Sequence, residues 1–173
     1  MHACCGPCSL GCIQSARGDG HIPALFFDNP NIHPYTEYEA RKASLLEAGA
    51  RTDTQVILHG GYGLRAFLGA VGVDGDGRCS VCYQIRLDET ARYAKAHGFA
   101  GFTTTLLISP YQNHECLRRM GEAAALKAEI PFWYKDFRPL FQESRKEARR
   151  MGLYMQKYCG CIFSEEERYL TRG

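Results

Sequence analysis

His21-Ile-Pro-Ala-Leu-Phe-Phe-Asp-Asn-Pro-Asn31 is an apolar run that ends in a dense turn signal. Residues 21–27 read as a buried strand, and Asp28 to Asn31 as the turn that closes it. Thr36 and Glu39 follow at capping-box spacing, opening a helix to about Ala48 with Tyr38, Leu45 and Leu46 on one face. Gly49 is expected to stop that helix. Strand, turn and helix in this order are the unit from which α/β domains are built.

The same alternation runs outward in both directions. Residues 54–58 predict a second strand and 64–70 a short helix, followed by an exposed, flexible glycine loop from Gly72 to Gly77. Cys79 and Cys82 then open a long helix with Tyr83, Leu87, Ala91 and Ala94 on its inner face, ended by Gly98. Residues 99–108 predict a buried strand. Ser109-Pro110 starts another helix, with Gln112 completing its capping box and Leu117, Met120 and Ala124 inward. A short strand at 131–134, a basic helix at 142–151 and a last helix capped by Ser164 and Glu167 complete the chain. At the other end, 9–17 reads as a short helix. Only Met1-His-Ala precedes the cysteines there, so the first strand is either very short or clipped. The expectation is one α/β domain over residues 1–173, its mainly parallel sheet flanked by helices in a Rossmann-like (HUP) arrangement. A ligand site then lies beyond the carboxyl ends of the strands, where the first cysteine loop, the turn at Asp28 and Thr103-Thr-Thr105 gather.

Nine cysteines dominate the chemistry of these 173 residues. Seven fall in three tight groups, Cys4-Cys5-Gly-Pro-Cys8, Cys79-Ser-Val-Cys82 and Cys159-Gly-Cys161. Thiolates crowded together repel unless a cation or a disulfide absorbs their charge. No leader sequence and no apolar run of membrane-spanning length is found, which points to the cytoplasm and away from a membrane. In a reducing compartment such cysteines serve metal or redox chemistry rather than a disulfide framework. A helix opening just after Pro7 is expected to lower the pKa values of the thiols at its start.

The two C-x-x-C pairs lie too far apart in sequence for a zinc ribbon. Four thiolates meeting at one sheet edge suit an iron–sulfur cluster or tetrahedral zinc, and the surplus of cysteines favours a catalytic centre. A bridge within Cys159-Gly-Cys161 would be strained and easily reduced, which fits a redox-active pair; a second metal is the alternative. Cys12 reads as a buried neighbour and Cys116 as a small apolar packing residue.

The formal charge of +2 hides a basic segment. Arg138, Arg145, Lys146, Arg149, Arg150 and Lys157 face only Glu143 and Glu147 between residues 138 and 157. Such clustering suits a polyanion such as RNA, although a solvated helix face is the plainer reading. His2, His33 and His114 could shuttle protons, Asp136-Phe-Arg138 could set an acid beside a phosphate-binding arginine, and Trp133 and Tyr134 could stack on a base.

Taken together, His2-Ala-Cys-Cys-Gly-Pro-Cys8, Asn29-Pro-Asn-Ile-His-Pro34, Arg78-Cys-Ser-Val-Cys-Tyr83 and Arg86-Leu-Asp-Glu-Thr90 resemble the QueH-type epoxyqueuosine reductases of tRNA modification. The resemblance continues through Phe102-Thr-Thr-Thr-Leu-Leu-Ile-Ser-Pro-Tyr111, Asp136-Phe-Arg138 and Tyr158-Cys-Gly-Cys-Ile-Phe-Ser164. It implies reduction of epoxyqueuosine to queuosine at the tRNA wobble position. It also implies a 4Fe–4S cluster on Cys4, Cys5, Cys79 and Cys82, and a further iron with Cys8 at the matching position. Cys159 and Cys161 match a redox-active pair that relays electrons or completes the second iron site. Under this reading Asp28, His33 or Asp136 donates protons, the basic segment holds the anticodon stem, and an electron donor of unspecified identity is required. Two competing readings are a cluster-containing, ATP-using tRNA sulfurtransferase and a non-enzymatic zinc-binding RNA module. The first needs a phosphate loop that Cys4-Cys-Gly-Pro-Cys8 does not supply.

Overall fold

Helices carry most of the chain and the sheet is small. The computed structural model describes residues 1–72 and 75–170. Strands β1 (Leu25–Phe27) and β2 (Val56–Leu58) pair in parallel, Leu25 opposite Val56 and Phe27 opposite Leu58. On the other side of β1, His2 makes a parallel bridge to Phe26 and a second to Thr104, and Phe102 bridges Phe132. Among the described residues five segments thus lie side by side, all parallel, with three of them reduced to isolated bridges.

Among the described residues seven α-helices surround them: α1 (Gly6–Gly18), α2 (Tyr35–Arg51), α3 (Leu64–Val71), α4 (Arg78–Ala96), α5 (His114–Ala128), α6 (Phe141–Arg150) and α7 (Ile162–Tyr169). As the periodicity requires, Tyr83, Leu87, Ala91 and Ala94 are buried along α4, and Leu117 and Ala124 along α5, and these two helices pack together. Among the described residues no helix is long and apolar enough to cross a membrane.

Helix α1 is wedged between α2 and α6, and small residues permit the approach. A Cβ on Gly6 would lie 2.4 Å from the Ser44 carbonyl oxygen. On the opposite side, the Ser144 hydroxyl of α6 donates to the Pro7 carbonyl at 2.6 Å and accepts the Gly11 N–H at 3.0 Å. It thereby stands between two groups that an uninterrupted helix would pair directly.

Several local expectations are corrected. The strand foreseen at 99–108 ends early, because the Thr104 hydroxyl accepts the Leu106 N–H at 3.1 Å and turns residues Thr105–Ile108 into a 3-10 helix. Helix α2 starts at Tyr35 without a side-chain cap, Glu39 being paired with Lys42 at 2.6 Å. It also runs past Gly49, whose bare Cα is needed for packing: a Cβ there would sit 2.3 Å from Val56 Cγ2. Asn113, not Ser109 with Gln112, caps α5 by accepting the Cys116 N–H at 2.9 Å. Helix α7 begins before Ser164, whose hydroxyl instead donates to the Cys161 carbonyl at 2.7 Å. Of the glycine loop, Val73 and Asp74 lie outside the described residues, and Gly75 is buried against Phe163.

Candidate metal centre

Three chain segments deliver the thiols. Cys5 is the N-cap of α1, Cys4 precedes it, and both are buried, the Cys4 thiol donating to Cys5 Sγ at 3.9 Å. Cys8 lies one turn on and accepts a hydrogen bond from Gln156 Nε2 at 3.5 Å. Cys79 and Cys82 occupy the first turn of α4, Cys79 exposed and Cys82 buried. Cys12 and Cys116 are buried, as expected of packing residues.

The third segment is pinned from several directions. Arg41 of α2 donates to the carbonyl oxygens of Cys159 and Tyr158, at 2.8 Å each. The Gly160 carbonyl accepts the His33 backbone N–H at 2.8 Å, and His33 Nδ1 accepts the Ile162 N–H at 3.3 Å. Gly160 itself has φ +144°, a conformation other residues rarely adopt, and its open Cα faces Arg41. Cys159 and Cys161 are both free thiols and turn apart. Cys161 joins Cys82 and Phe67 in an apolar cluster, whereas Cys159 is exposed and receives Gln112 Nε2 at 3.5 Å.

The expected lowering of thiol pKa values at the start of α1 is not met at Cys4. The hydrogen bond to Cys5, then burial, raises it well above the ordinary value. Burial likewise pushes Cys82 up to about 12, although the nearby Arg86 charge opposes this. Desolvation in this packed setting outweighs the helix terminus. Turning these thiols into thiolates therefore requires a cation at the site, which is the chemistry of a metal-ligand set.

Two buried arginines frame the thiols. Arg41 is paired with Glu37 at 2.7 Å, and Glu37 also accepts the Tyr154 hydroxyl. Arg86 donates Nε–H to the Cys82 carbonyl at 3.1 Å, but its buried Nη2 has no partner. Its guanidinium interacts with Cys82, Cys4 and Cys159, one thiol from each group. A buried cation with an unpartnered Nη2, set among thiols, fits a site made for a negatively charged, thiolate-bound group. Among the described residues no three His, Cys, Asp or Glu side chains converge on a single ion position.

A cavity of about 660 Å³ opens beside this locus. Cys4, Cys8 and Cys159 reach its wall, together with Tyr111, Phe141 and Tyr158 and the cations Arg41, Arg145, Lys157 and Arg168. Arg145 also lies over the Phe141 ring at 5.4 Å. Of the other basic residues singled out, Arg138 is held by Asp136 at 2.6 Å and Arg150 by Glu147 at 2.6 Å, while Arg149 is exposed on α6.

The candidate proton donors separate clearly. The Arg138 guanidinium beside Asp136 holds that carboxyl down at about 2. His33 is bonded on both ring nitrogens, Nε2 to the Pro30 carbonyl at 3.0 Å, and burial lowers its pKa. His2 is likewise committed to Thr104 and Asn29, and His114 to the Ser109 carbonyl. Asp28, buried beside Gly60 with His59, Glu89 and Arg86 as neighbours, is pushed up to about 6 by burial. Trp133 stacks on His21 at 4.1 Å, and neither it nor Tyr134 reaches the cavity.

Sequence reasoning missed Arg41, Arg86, Gln112, Gln156 and Arg168 as site residues. Arg86 sits four residues after Cys82, on the same helix face, and that spacing was the available signal.

The family model described as epoxyqueuosine reductase QueH matches residues 1–167. A protein of that name from Dehalococcoides mccartyi is 34% identical over 169 residues, covering 98% of this chain and 93% of the relative. One from Thermotoga maritima is 34% identical over 178 residues, covering 97% and 90%. A third, from Haemophilus influenzae, is 30% identical over 171 residues, covering 95% and 70%. The match runs through every thiol-bearing segment of the site, and the chain belongs to the epoxyqueuosine reductase QueH family.

Proposed function

We propose that this protein reduces epoxyqueuosine to queuosine in tRNA, and that the reaction takes place in the thiol-lined cavity. The observation that carries the reading is the meeting of Cys4, Cys8 and Cys159, from two separate cysteine groups, at the wall of one cavity that also presents aromatic rings and cations. Removing an epoxide oxygen to leave an alkene consumes two electrons and two protons and releases water. Cys4, Cys5, Cys79 and Cys82 are our ligands for a 4Fe–4S cluster, with Cys8 and the Cys159/Cys161 segment beside a further iron. When bound, these groups supply single electrons at low potential and a Lewis acid for the epoxide oxygen. Each iron of a cluster takes its own thiolate, which is consistent with sulfurs that do not converge on one point.

The protein's own residues bind, orient and supply protons. Tyr111, 80% exposed at the cavity mouth, offers a ring on which an extruded base can stack. Arg145, Lys157 and Arg168 neutralise the phosphates that accompany it. Gln112 and Gln156 hold the Cys159 and Cys8 sulfurs toward the cavity. Of the candidate acids, Asp28 is the one whose carboxyl burial raises, to about 6, so it holds its proton more tightly than an ordinary carboxyl.

We read the order of the parallel segments, β2, β1, His2, Thr104 and Phe132, as Rossmann-like, which supports placing the site at the carboxyl ends of the strands. We read residues 1–173 as one catalytic domain, and the free thiols suit the reducing cytoplasm. Neither the sulfurtransferase nor the zinc module is favoured by the family.

Anaerobically purified protein is expected to be brown, with iron in excess of sulfide, and to convert epoxyqueuosine-containing tRNA when given a chemical reductant. Cys82→Ser is expected to abolish both colour and turnover. A colourless protein that resists reconstitution yet binds stoichiometric zinc would sink the reductase reading.

A further inference from the structure

We propose that Arg86 is the permanent counter-charge of the thiol-bound cluster and sets how readily that cluster takes up an electron; the assignment rests on the cluster reading above. Arg86 stands one turn beyond Cys82 on α4, tied to it through the Cys82 carbonyl at 3.1 Å. The residue is 2% exposed, yet Nη2 has no hydrogen-bond partner. Among the described residues no ion pair is made by Arg86, whereas the other deeply buried arginine, Arg41, has Glu37. The carboxyl whose charge reaches Arg86 is Asp28, and among the described residues no ion pair joins the two. The other facing groups are thiols from all three cysteine segments, the Tyr83 hydroxyl and the His2 imidazole.

A buried guanidinium without an anion costs several kcal/mol. It cannot shed its proton at physiological pH and has no carboxylate paired with it among the described residues, so a negatively charged group held by the thiols would compensate it. A positive charge beside a thiolate-ligated cluster favours the reduced, more negative member of its one-electron couple. Arg86 thus acts through the ligand set and is a positioning residue, its effect carried by charge rather than by shape.

The test compares anaerobically purified wild type, Arg86→Gln and Arg86→Lys by iron and sulfide content. The midpoint potential is titrated with mediator dyes and read from the paramagnetic signal of the reduced cluster. At the poise where half the wild-type cluster is reduced, Arg86→Gln is expected to hold at least tenfold less reduced relative to oxidised cluster, a shift of about 59 mV for one electron. Arg86→Lys, which keeps the charge, is expected to stay within about twofold of wild type, a range well inside that tenfold step. Loss of the cluster from Arg86→Gln but not from Arg86→Lys supports the assignment too, since charge is what Lys retains. Unchanged potential in an intact Arg86→Gln cluster overturns it. Loss of the cluster from both variants, or failure of both to fold, also overturns it, because the side chain would then serve shape. A wild type that takes up no iron removes the cluster reading itself, and the other outcomes bear on Arg86 alone.

Discussion

Arg41 Nη1 donates to the carbonyl oxygen of Cys159 at 2.8 Å, joining α2 to a segment 118 residues further along the chain. Nη2 of the same guanidinium holds Tyr158, and Nε holds Glu37. One planar fork therefore fixes the position of the Cys159-Gly-Cys161 segment against α2. Arg41→Met leaves the Glu37 carboxylate buried without its cation, a change that costs about 3–5 kcal/mol. The expected result in urea unfolding of metal-free protein is a lower midpoint, together with faster maleimide labelling of Cys159 in the folded state. Labelling at the wild-type rate would show that the segment is held by His33 and Tyr158 instead.

The Ser144 hydroxyl gives a second test. Ser144→Ala removes the group that serves both the Pro7 carbonyl and the Gly11 N–H. Leaving buried backbone groups unpaired costs about 1–3 kcal/mol. Denaturant unfolding is expected to show that loss. A neutral result would mean that α1 closes its own ladder once the hydroxyl is gone.

Much of this arrangement was legible in the sequence, and what was not has specific causes. Cys79 and Cys82 were read correctly at the start of α4, whereas the helix expected from residue 9 begins at Gly6, with Cys5 as its N-cap and Cys8 inside it. Arg86 carried no local signal of orphaned charge, since that depends on which segments pack over it. Gly49 looked like a helix stop but is a packing site against Val56, an approach no helix pattern encodes. The apolar run at 99–108 was read by composition as a strand, whereas the Thr104 hydroxyl diverts it into a 3-10 turn. The basic helix overstated its free charge, although Glu147 and Arg150 stand at i,i+3, a spacing that already foretold their pairing.

Asp28 sets a pH dependence whose sign follows from its burial. The folded protein holds this proton more tightly than the unfolded chain, its carboxyl being raised from 3.8 to about 6. Stability is therefore greatest below the window and falls as pH rises through it, by on the order of 2 kcal/mol. His59 and Arg86 moderate the effect and Glu89 adds to it. Asp28→Asn is expected to be more stable than wild type at pH 8, with the advantage gone below the unfolded value. Parallel stability–pH curves for the two proteins would show that Asp28 does not carry this proton.

The cations divide into those on the cavity wall and those already paired. Arg145 and Lys157 line the cavity, whereas Arg138 and Arg150 are bound to Asp136 and Glu147. Removing one cation that neutralises a phosphate lowers the salt dependence of binding by about one unit of log–log slope. The double variant Arg145→Ala, Lys157→Ala is thus expected to weaken tRNA binding at moderate salt and reduce that slope by about two. Arg138→Ala with Arg150→Ala is expected to change it little, since each of those charges is largely cancelled where it stands. Filter binding of one tRNA across a salt series measures both. If the paired set carried the larger slope change, the ion pairs of the free protein would have to open on RNA, and the anticodon stem would lie along α6 rather than over the cavity.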